Sequence, residues 1–404
     1  MNSNPKTRIS GKPLEVFLAF LKLGLTAFGG PIAHLGYFRT EFVERRRWLS
    51  DAQFGQLLAI CQFLPGPASS QLGFTLGLLR GGWLGAFAAF MAFTLPSAIL
   101  LVAFAAALPW LSQPIGEAAI HGLKLVACAV VADAVFGMAK KLCPDLLRKL
   151  IALLSAAILI FASSALTQLA VIALAAVMGM VFIRQTNQST SQTPIPLPYG
   201  TKLGAMLLAV FVLLLLGLPL FASSQLGFIS VAEAFYRAGA LVFGGGHVVL
   251  PLLQDTVVSN GWANTQDFLA GYGAAQAIPG PMFAFSAYLG AIISPWQQTY
   301  WMAATALVFL FLPGFLLISG VLPFWRVISQ NPNAIRAIAG VNAAVVGLLG
   351  AALYDPIITS GITGYLDVFI VLIALVLLMR WRINPLFIVV WCVSASIISF
   401  CCLA

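Results

Sequence analysis

Hydrophobic residues run through this chain in long blocks, and the polar breaks between them fall at repeated places. Nine apolar segments of spanning character lie near 83–108, 118–138, 150–166, 168–183, 202–221, 297–320, 334–354, 365–379 and 385–402. Several reach the roughly 20 residues that one crossing takes. Each half also carries four shorter pieces, in the first half 14–28, 31–43, 52–64 and 67–79. At about 1.5 Å rise per residue, a piece the length of 52–64 covers only about 20 Å. These pieces therefore predict hairpins that enter a membrane and return to the same side.

The breaks are written twice. Phe28-Gly29-Gly30 recurs as Phe243-Gly244-Gly245, 215 residues on, and Gln62-Phe63-Leu64-Pro65-Gly66-Pro67 recurs as Gln276-Ala277-Ile278-Pro279-Gly280-Pro281, 214 residues on. Lys22 falls on Arg237 and Trp48 on Trp262. Laying Ile120-His121-Gly122 on Ile338-Ala339-Gly340 puts Lys124 on Asn342.

Charge orients the copies, because Lys and Arg collect in cytoplasmic loops. Lys6, Arg8 and Lys12, then Arg39 and Arg45 to Arg47, then Arg80 mark the outer ends of the first-half hairpins. Lys140, Lys141, Arg148 and Lys149 thread to the same side, followed by a polar linker. The matching second-half ends, 222–230, 254–267 and 294–298, hold no Lys or Arg, and Arg326, Arg336, Arg380 and Arg382 return to the first side. The expectation is an all-α, polytopic membrane protein, an inverted-topology repeat of two homologous halves with broken, re-entrant helices. Its parts are 1–183, a cytoplasmic linker at 184–201, and 202–404 in the opposite orientation, with a cytoplasmic N-terminus. Secondary transporters are built this way, with the binding site between the repeats.

Composition agrees. With 61% hydrophobic and 8% charged residues, the chain departs from a soluble domain, where about a quarter are charged. The net charge of +9 then reports topology and not a nucleic-acid partner. The polar, basic start and the interruption at Lys22 argue against a cleaved signal peptide. Cys61, Cys128, Cys143, Cys392, Cys401 and Cys402 lack metal-ligand spacing and read as packing residues. Trp296, Trp301, Trp381 and Trp391 suit membrane interfaces.

A helix broken inside a bilayer exposes backbone N–H and C=O groups, which is tolerated only where protein or a cavity surrounds them. Gly29-Gly30-Pro31 makes such a break, with Pro31 suited to the next first turn. Pro65-Gly66-Pro67 makes another, followed by Ala68-Ser69-Ser70-Gln71 at a helix start. Gly244-Gly245-Gly246 and Pro279-Gly280-Pro281 repeat both devices. Helix starts hold anions through free N–H groups and the positive dipole end.

Lys22, Lys124 and Arg237 are the basic residues left at membrane depth, against one acid clearly there, Asp133. Such charges are costly in apolar surroundings and usually functional, and the balance predicts an anionic, polyvalent ligand. The competing reading of Lys22 and Lys124 is that they snorkel to an interface. His34 and His247 follow the glycine breaks, as proton carriers or oxyanion donors, or else as packing residues. His121 is a weaker candidate. Gln62 and Gln276 offer N–H donors without charge. Phosphate-loop, zinc-protease and hydrolase motifs are missing. No catalytic residue, metal or cofactor is therefore expected, and transport driven by a gradient or by the membrane potential remains.

These residues resemble the chromate ion transporter family, through KLGLTAFGGPIAHLGYFRTEFVERRRWLS at 22–50 and CQFLPGPASSQLG at 61–73, with echoes RAGALVFGGGH at 237–247 and AAQAIPGP at 274–281. The likeness covers essentially the whole chain and is to the long, two-domain form. It implies export of chromate from the cytoplasm across the inner (plasma) membrane, conferring resistance, and a link to sulfate, a similar tetrahedral dianion. It also implies that Lys22, Gly29, Gly30, Pro31, His34, Gln62, Pro65, Gly66 and Pro67 form the motif, with Arg39 and the Arg45 to Arg47 cluster at the entrance. Internal symmetry is imperfect: His34 falls on Val249, Pro31 on Gly246 and Ser69-Ser70 on Phe283-Ala284. The alternatives are a sulfate or other oxyanion carrier and, in a different class, a membrane-bound oxyanion reductase. Homo-oligomerisation stays open.

Overall fold

Local chemistry sets where the helices begin. Proline, whose missing N–H costs nothing in a first turn, opens the helices at Pro13, Pro114, Pro332 and Pro385. Ser50 caps its helix by accepting from the Gln53 N–H while the Gln53 side chain returns to the Ser50 N–H. Asn264, 214 residues on, accepts from the Asp267 N–H at 2.7 Å. The repeat thus conserves the device and varies the residue.

The computed structural model describes residues 11–28, 30–162, 165–183, 195, 197–222, 226–243, 249–294, 299–328 and 330–403, and these contain helices and no strand. In the first half α1 is Pro13–Thr26, α2 Gly30–Phe38 with a π-helical continuation Arg39–Arg45, α3 Asp51–Phe63, α4 Ala68–Ala107, α5 Pro114–Leu142, α6 Leu146–Phe161 and α7 Ala165–Phe182. After α8, Thr201–Phe221, come α9 Phe228–Leu241, α10 Val249–Val257, α11 Thr265–Ala277, α12 Phe285–Ile292 and α13 Thr299–Val321. The single turn α14 is Trp325–Ile328, α15 is Pro332–Ala352, the single turn α16 is Thr359–Gly361, α17 is Tyr365–Trp381 and α18 is Pro385–Leu403.

Among the described residues, six stretches are long and apolar enough to cross a membrane: Ala68–Leu111, Pro114–Leu142, Thr201–Phe221, Thr299–Ile328, Pro332–Gly361 and Pro385–Cys402. The chain is a multi-pass, all-α membrane protein. The other three expected spans form α6, α7 and α17, of 16, 18 and 17 residues. The helix α4 is broken at Gly81 and Gly82, so that it has a short arm after Pro67 and a long one. Backbone at Gly77 touches backbone at Gly85 across this break. The outer ends of the first-half hairpins meet on one face. Arg80 reaches Glu15 at 3.1 Å, and the guanidinium groups of Arg46 and Arg80 both lie over the Trp48 ring.

Packing follows the repeat. The first helix of each half lies along the long apolar helix after its Pro-Gly-Pro, α1 on α4 and α9 on α13. The later helices exchange partners: α5 packs against α17 and α18, and α15 against α6 and α7. Small residues make these crossings close, Gly122 against the backbone of Cys392 and Val393, and Gly340 against that of Ala175 and Gly179. The main core therefore runs through both halves. A second core gathers Phe20, Phe38, Phe42, Phe54 and Phe93 among the first-half hairpins.

Candidate functional site at the paired helix breaks

Each Pro-Gly-Pro turn docks on the other half. The Gly66 N–H donates to the Val242 carbonyl at 2.6 Å, and the Gly280 N–H donates to the Ala27 carbonyl at 2.9 Å. Val242 and Ala27 are equivalent residues, each next to the phenylalanine of its glycine break. Both turn glycines take φ values that L side chains rarely adopt, 122° at Gly66 and 101° at Gly280. Gly66 packs against Gly314, just after Pro313 of α13, and Gly280 packs against Ser97, just after Pro96 of α4. The exchange is reciprocal and puts both turns in the layer between the halves.

The first half lines this layer with polar side chains. His34 is fully buried, its Nε2–H facing the Ala27 carbonyl at 3.2 Å and its ring edge-on to Phe93. Ala27 therefore serves both His34 and Gly280. The Gln71 amide donates to the Pro65 carbonyl at 2.9 Å and to the Gly314 carbonyl at 3.0 Å, tying the first turn to α13. Ser69 and Ser70 are buried. In the second half Pro281 and Gln276 are buried and Pro279 half-buried, and the Gln276 amide meets the Met282 sulfur at 3.3 Å.

Other predicted site residues stand elsewhere. Gln62 is exposed, and the glutamine at the turn is Gln71. Only its place four residues past Pro67, at a helix start, hinted at this. Lys22 lines a groove of about 480 Å³ with Thr26, Tyr37, Thr40, Glu41 and Arg45, built from the first half alone. Lys124 is buried on α5 and faces the charge of Asp267. Arg237 is paired with Glu233 at 2.8 Å and faces Asp255. The balance of three cations against one acid is thus corrected. Acids distant along the chain, or one helical turn away, offset each cation's charge: Glu41 for Lys22, Asp267 for Lys124, and Glu233 with Asp255 for Arg237, of which Glu233 alone is in contact among the described residues. Pro65 and Pro67 frame the first turn, and Gly30 opens α2. Gly29, Gly244, Gly245 and His247 lie outside the described residues, as does most of the linker.

Glu41 is the buried centre of the basic turn, bound by Arg46 at 2.6 Å and Arg45 at 3.1 Å. Burial pushes its carboxyl up, but Arg46, then Arg45 and Lys22, outweigh that and hold it below the usual carboxylate range.

Apolar spans, duplicated helix breaks and a buried polar layer between halves define a polytopic membrane protein of the repeat-built kind. Residues 14–180 and 229–397 match the family described as chromate transporter, and the chain belongs to it. It is 30% identical over 397 residues to a probable chromate transport protein of Synechococcus elongatus, covering 94% of this chain and 93% of that one. It is 28% identical to a chromate transport protein of Cupriavidus metallidurans, over 84% and 81% of the two chains. It is 27% identical to one of Pseudomonas aeruginosa, over 84% and 80%. No solved structure matches.

Proposed function

We propose that this protein is a secondary transporter that exports chromate across the plasma membrane and confers resistance to it. The named relatives support the substrate. The reciprocal bonds from Gly66 to Val242 and from Gly280 to Ala27 carry the mechanism. They bring the Pro-Gly-Pro turn of each half against the end of the other half's α1 or α9, which supports a layer between the halves that opens to alternate sides as one half tilts against the other. The halves insert in opposite senses, and the basic turn at Arg39 to Arg47 faces the cytoplasm, where Lys22 and its groove meet the anion. Half-helix starts at the two Pro-Gly-Pro turns replace its hydration. An inside-negative potential favours anion exit by about 2.3 kcal/mol per charge per 100 mV, so export proceeds without ATP.

The test is saturable uptake of labelled chromate into energised inside-out vesicles holding the purified protein. Lys22→Gln should lower uptake. Arg237→Gln strands Glu233, so it is compared with the double variant Glu233→Gln, Arg237→Gln, which restores the charge balance. Uptake unchanged in both Lys22→Gln and the double variant would remove the two cations from the site. Absence of wild-type uptake under any gradient would refute the export reading.

A further inference from the structure

Four helices, α6, α7, α10 and α15, close around a cavity of about 80 Å³. Its polar lining is Gln168, Gln254, Asp255, Ser259 and Asp355, with no basic residue among the described lining. Three of the helices, α6, α10 and α15, present their C-terminal turns to it, and such ends carry partial negative charge. Asp255 is half-buried, and its carboxylate accepts no hydrogen bond among the described residues. Arg237, whose charge it faces, is already held by Glu233. Asp355 stands just past α15, with extended backbone at φ −128° and ψ 119°, and one of its oxygens accepts from the Thr359 hydroxyl at 3.1 Å. Gln168 is 7% exposed, and its amide has no hydrogen-bond partner among the described residues. Buried polar groups are normally satisfied, so an amide left open on a cavity that holds two carboxylates points to a ligand there.

The first copy of the repeat has what the second lacks. At the spacing of 214 that lays Trp48 on Trp262, Glu41 falls on Asp255, Arg45 on Ser259, Arg46 on Asn260 and Arg47 on Gly261. The geometry agrees. Arg47 and Gly261 both take left-handed backbone, at φ 52° and 70°, and the two acids face the matched cations Lys22 and Arg237. Glu41 is neutralised by Arg45 and Arg46. Asp255 has a serine and an asparagine in their place, and the Asn260 amide donates to the Thr256 carbonyl instead. With Arg237 balanced by Glu233, the two carboxylates of the cavity leave two negative charges that no side chain among the described residues offsets.

We propose that this cavity binds a calcium ion, which supplies from solution the charge that Arg45 and Arg46 supply in the first copy. Carboxylate, amide carbonyl and hydroxyl oxygens are the donors that hard cations take. Calcium accepts about six to eight such oxygens in irregular geometry, whereas magnesium keeps several of its waters. At roughly 30 Å³ per water, the 80 Å³ here is too small for that hydration shell. Arg148 and Lys149 lie in the first turn of α6 and Arg336 near the start of α15. The ends that line the cavity therefore lie away from those charges, on the side that the positive-inside rule makes external. Binding in the range of extracellular calcium modules, about 10⁻⁴ to 10⁻³ M, suffices there. The ion joins Gln168 of the first half to Asp255 and Asp355 of the second, and so holds α10 against α7 and α15.

The experiment is thermal unfolding of the purified full chain in detergent after chelation, with calcium, magnesium or sodium chloride added back at equal ionic strength, beside equilibrium binding of radioactive calcium. The expected result is one calcium bound per chain at about 10⁻⁴ to 10⁻³ M, and a melting temperature that rises with calcium, less with magnesium and not with sodium. Asp255→Asn and Asp355→Asn should each weaken binding about tenfold or more without lowering the calcium-free melting temperature, since each removes a charge that nothing offsets. Gln168→Leu should weaken binding and leave the calcium-free protein at least as stable, because its amide has no protein bond to lose. Absence of binding well above the expected range would overturn the proposal. So would equal shifts with magnesium or sodium, or calcium binding that survives in the Asp255→Asn, Asp355→Asn double variant. Binding is read without transport, so its failure leaves the export reading standing, and failed chromate uptake leaves the calcium site standing.

Discussion

At the scale of single residues, the two turn glycines are equivalent in sequence but not in tolerance. Alanine at either takes on a backbone strain of about 1–3 kcal/mol. At Gly66 the new Cβ would also sit 2.9 Å from the Gly314 Cα, which is backbone and cannot turn aside, whereas at Gly280 its nearest neighbour is the Ser97 hydroxyl at 2.7 Å, which can rotate. Gly66→Ala should therefore lower the melting temperature and flux more than Gly280→Ala does, a comparison that thermal unfolding in detergent decides. Glu41 gives a second test. Its folded-state pKa lies below the ordinary value of 4.5, so its stabilisation is present above that value and is lost as pH falls through the lowered one. Glu41→Gln should cost about 2 kcal/mol at neutral pH, and the gap between variant and wild type should close in strong acid.

At the scale of elements, one carboxylate organises the start of α17. Asp367 accepts from the Thr363 N–H and hydroxyl at 2.8 and 2.9 Å and from the Gly364 N–H at 3.0 Å, while its other oxygen meets His121 Nε2 at 2.9 Å. The histidine belongs to the first half and the cap to the second, so this contact fastens the exchanged packing of α5 on α17. Asp367→Ala should destabilise by about 1–2 kcal/mol as a lost cap, and His121→Ala by less, because the cap bonds remain. Melting curves of both variants and of the double variant measure the coupling. The pair also marks how far elements can be read from sequence. The repeated breaks, the hairpin arms on either side of Pro65 to Pro67 and the bend near Arg80 follow from residue type and spacing. Glu233, four residues before Arg237 on the same helix, is also within reach of spacing alone, whereas His121 meeting Asp367 and Arg237 facing Asp255 are not. Such pairs depend on helix rotation and on which helices pack together, and neither leaves a trace in a count of charges at membrane depth. The exposure of Gln62 was unreadable for the same reason: its repeat puts it near the turn, but the face of α3 decides which way it is exposed.

At the scale of the whole molecule, family membership and the duplicated match over 14–180 and 229–397 fit the repeat that the glycine and proline motifs spell out. Reciprocal docking follows naturally from it, since two copies that bind each other's breaks need only one interface chemistry. The sense of insertion is a separate matter, carried by charge. The first-half turn around 39–47 holds four arginines and its counterpart at 254–267 none, so the positive-inside rule predicts the two turns on opposite sides. Ala52 and Gln266 test this directly. Each is the second residue of a matched helix, α3 or α11, and each is exposed. With the exposed Cys401 and Cys402 first changed to serine, Ala52→Cys should react with an impermeant maleimide in inside-out vesicles, and Gln266→Cys in right-side-out ones. Both positions labelling from one side would make the repeats parallel, and the layer between Gly66 and Gly280 would then need a different route to alternate access.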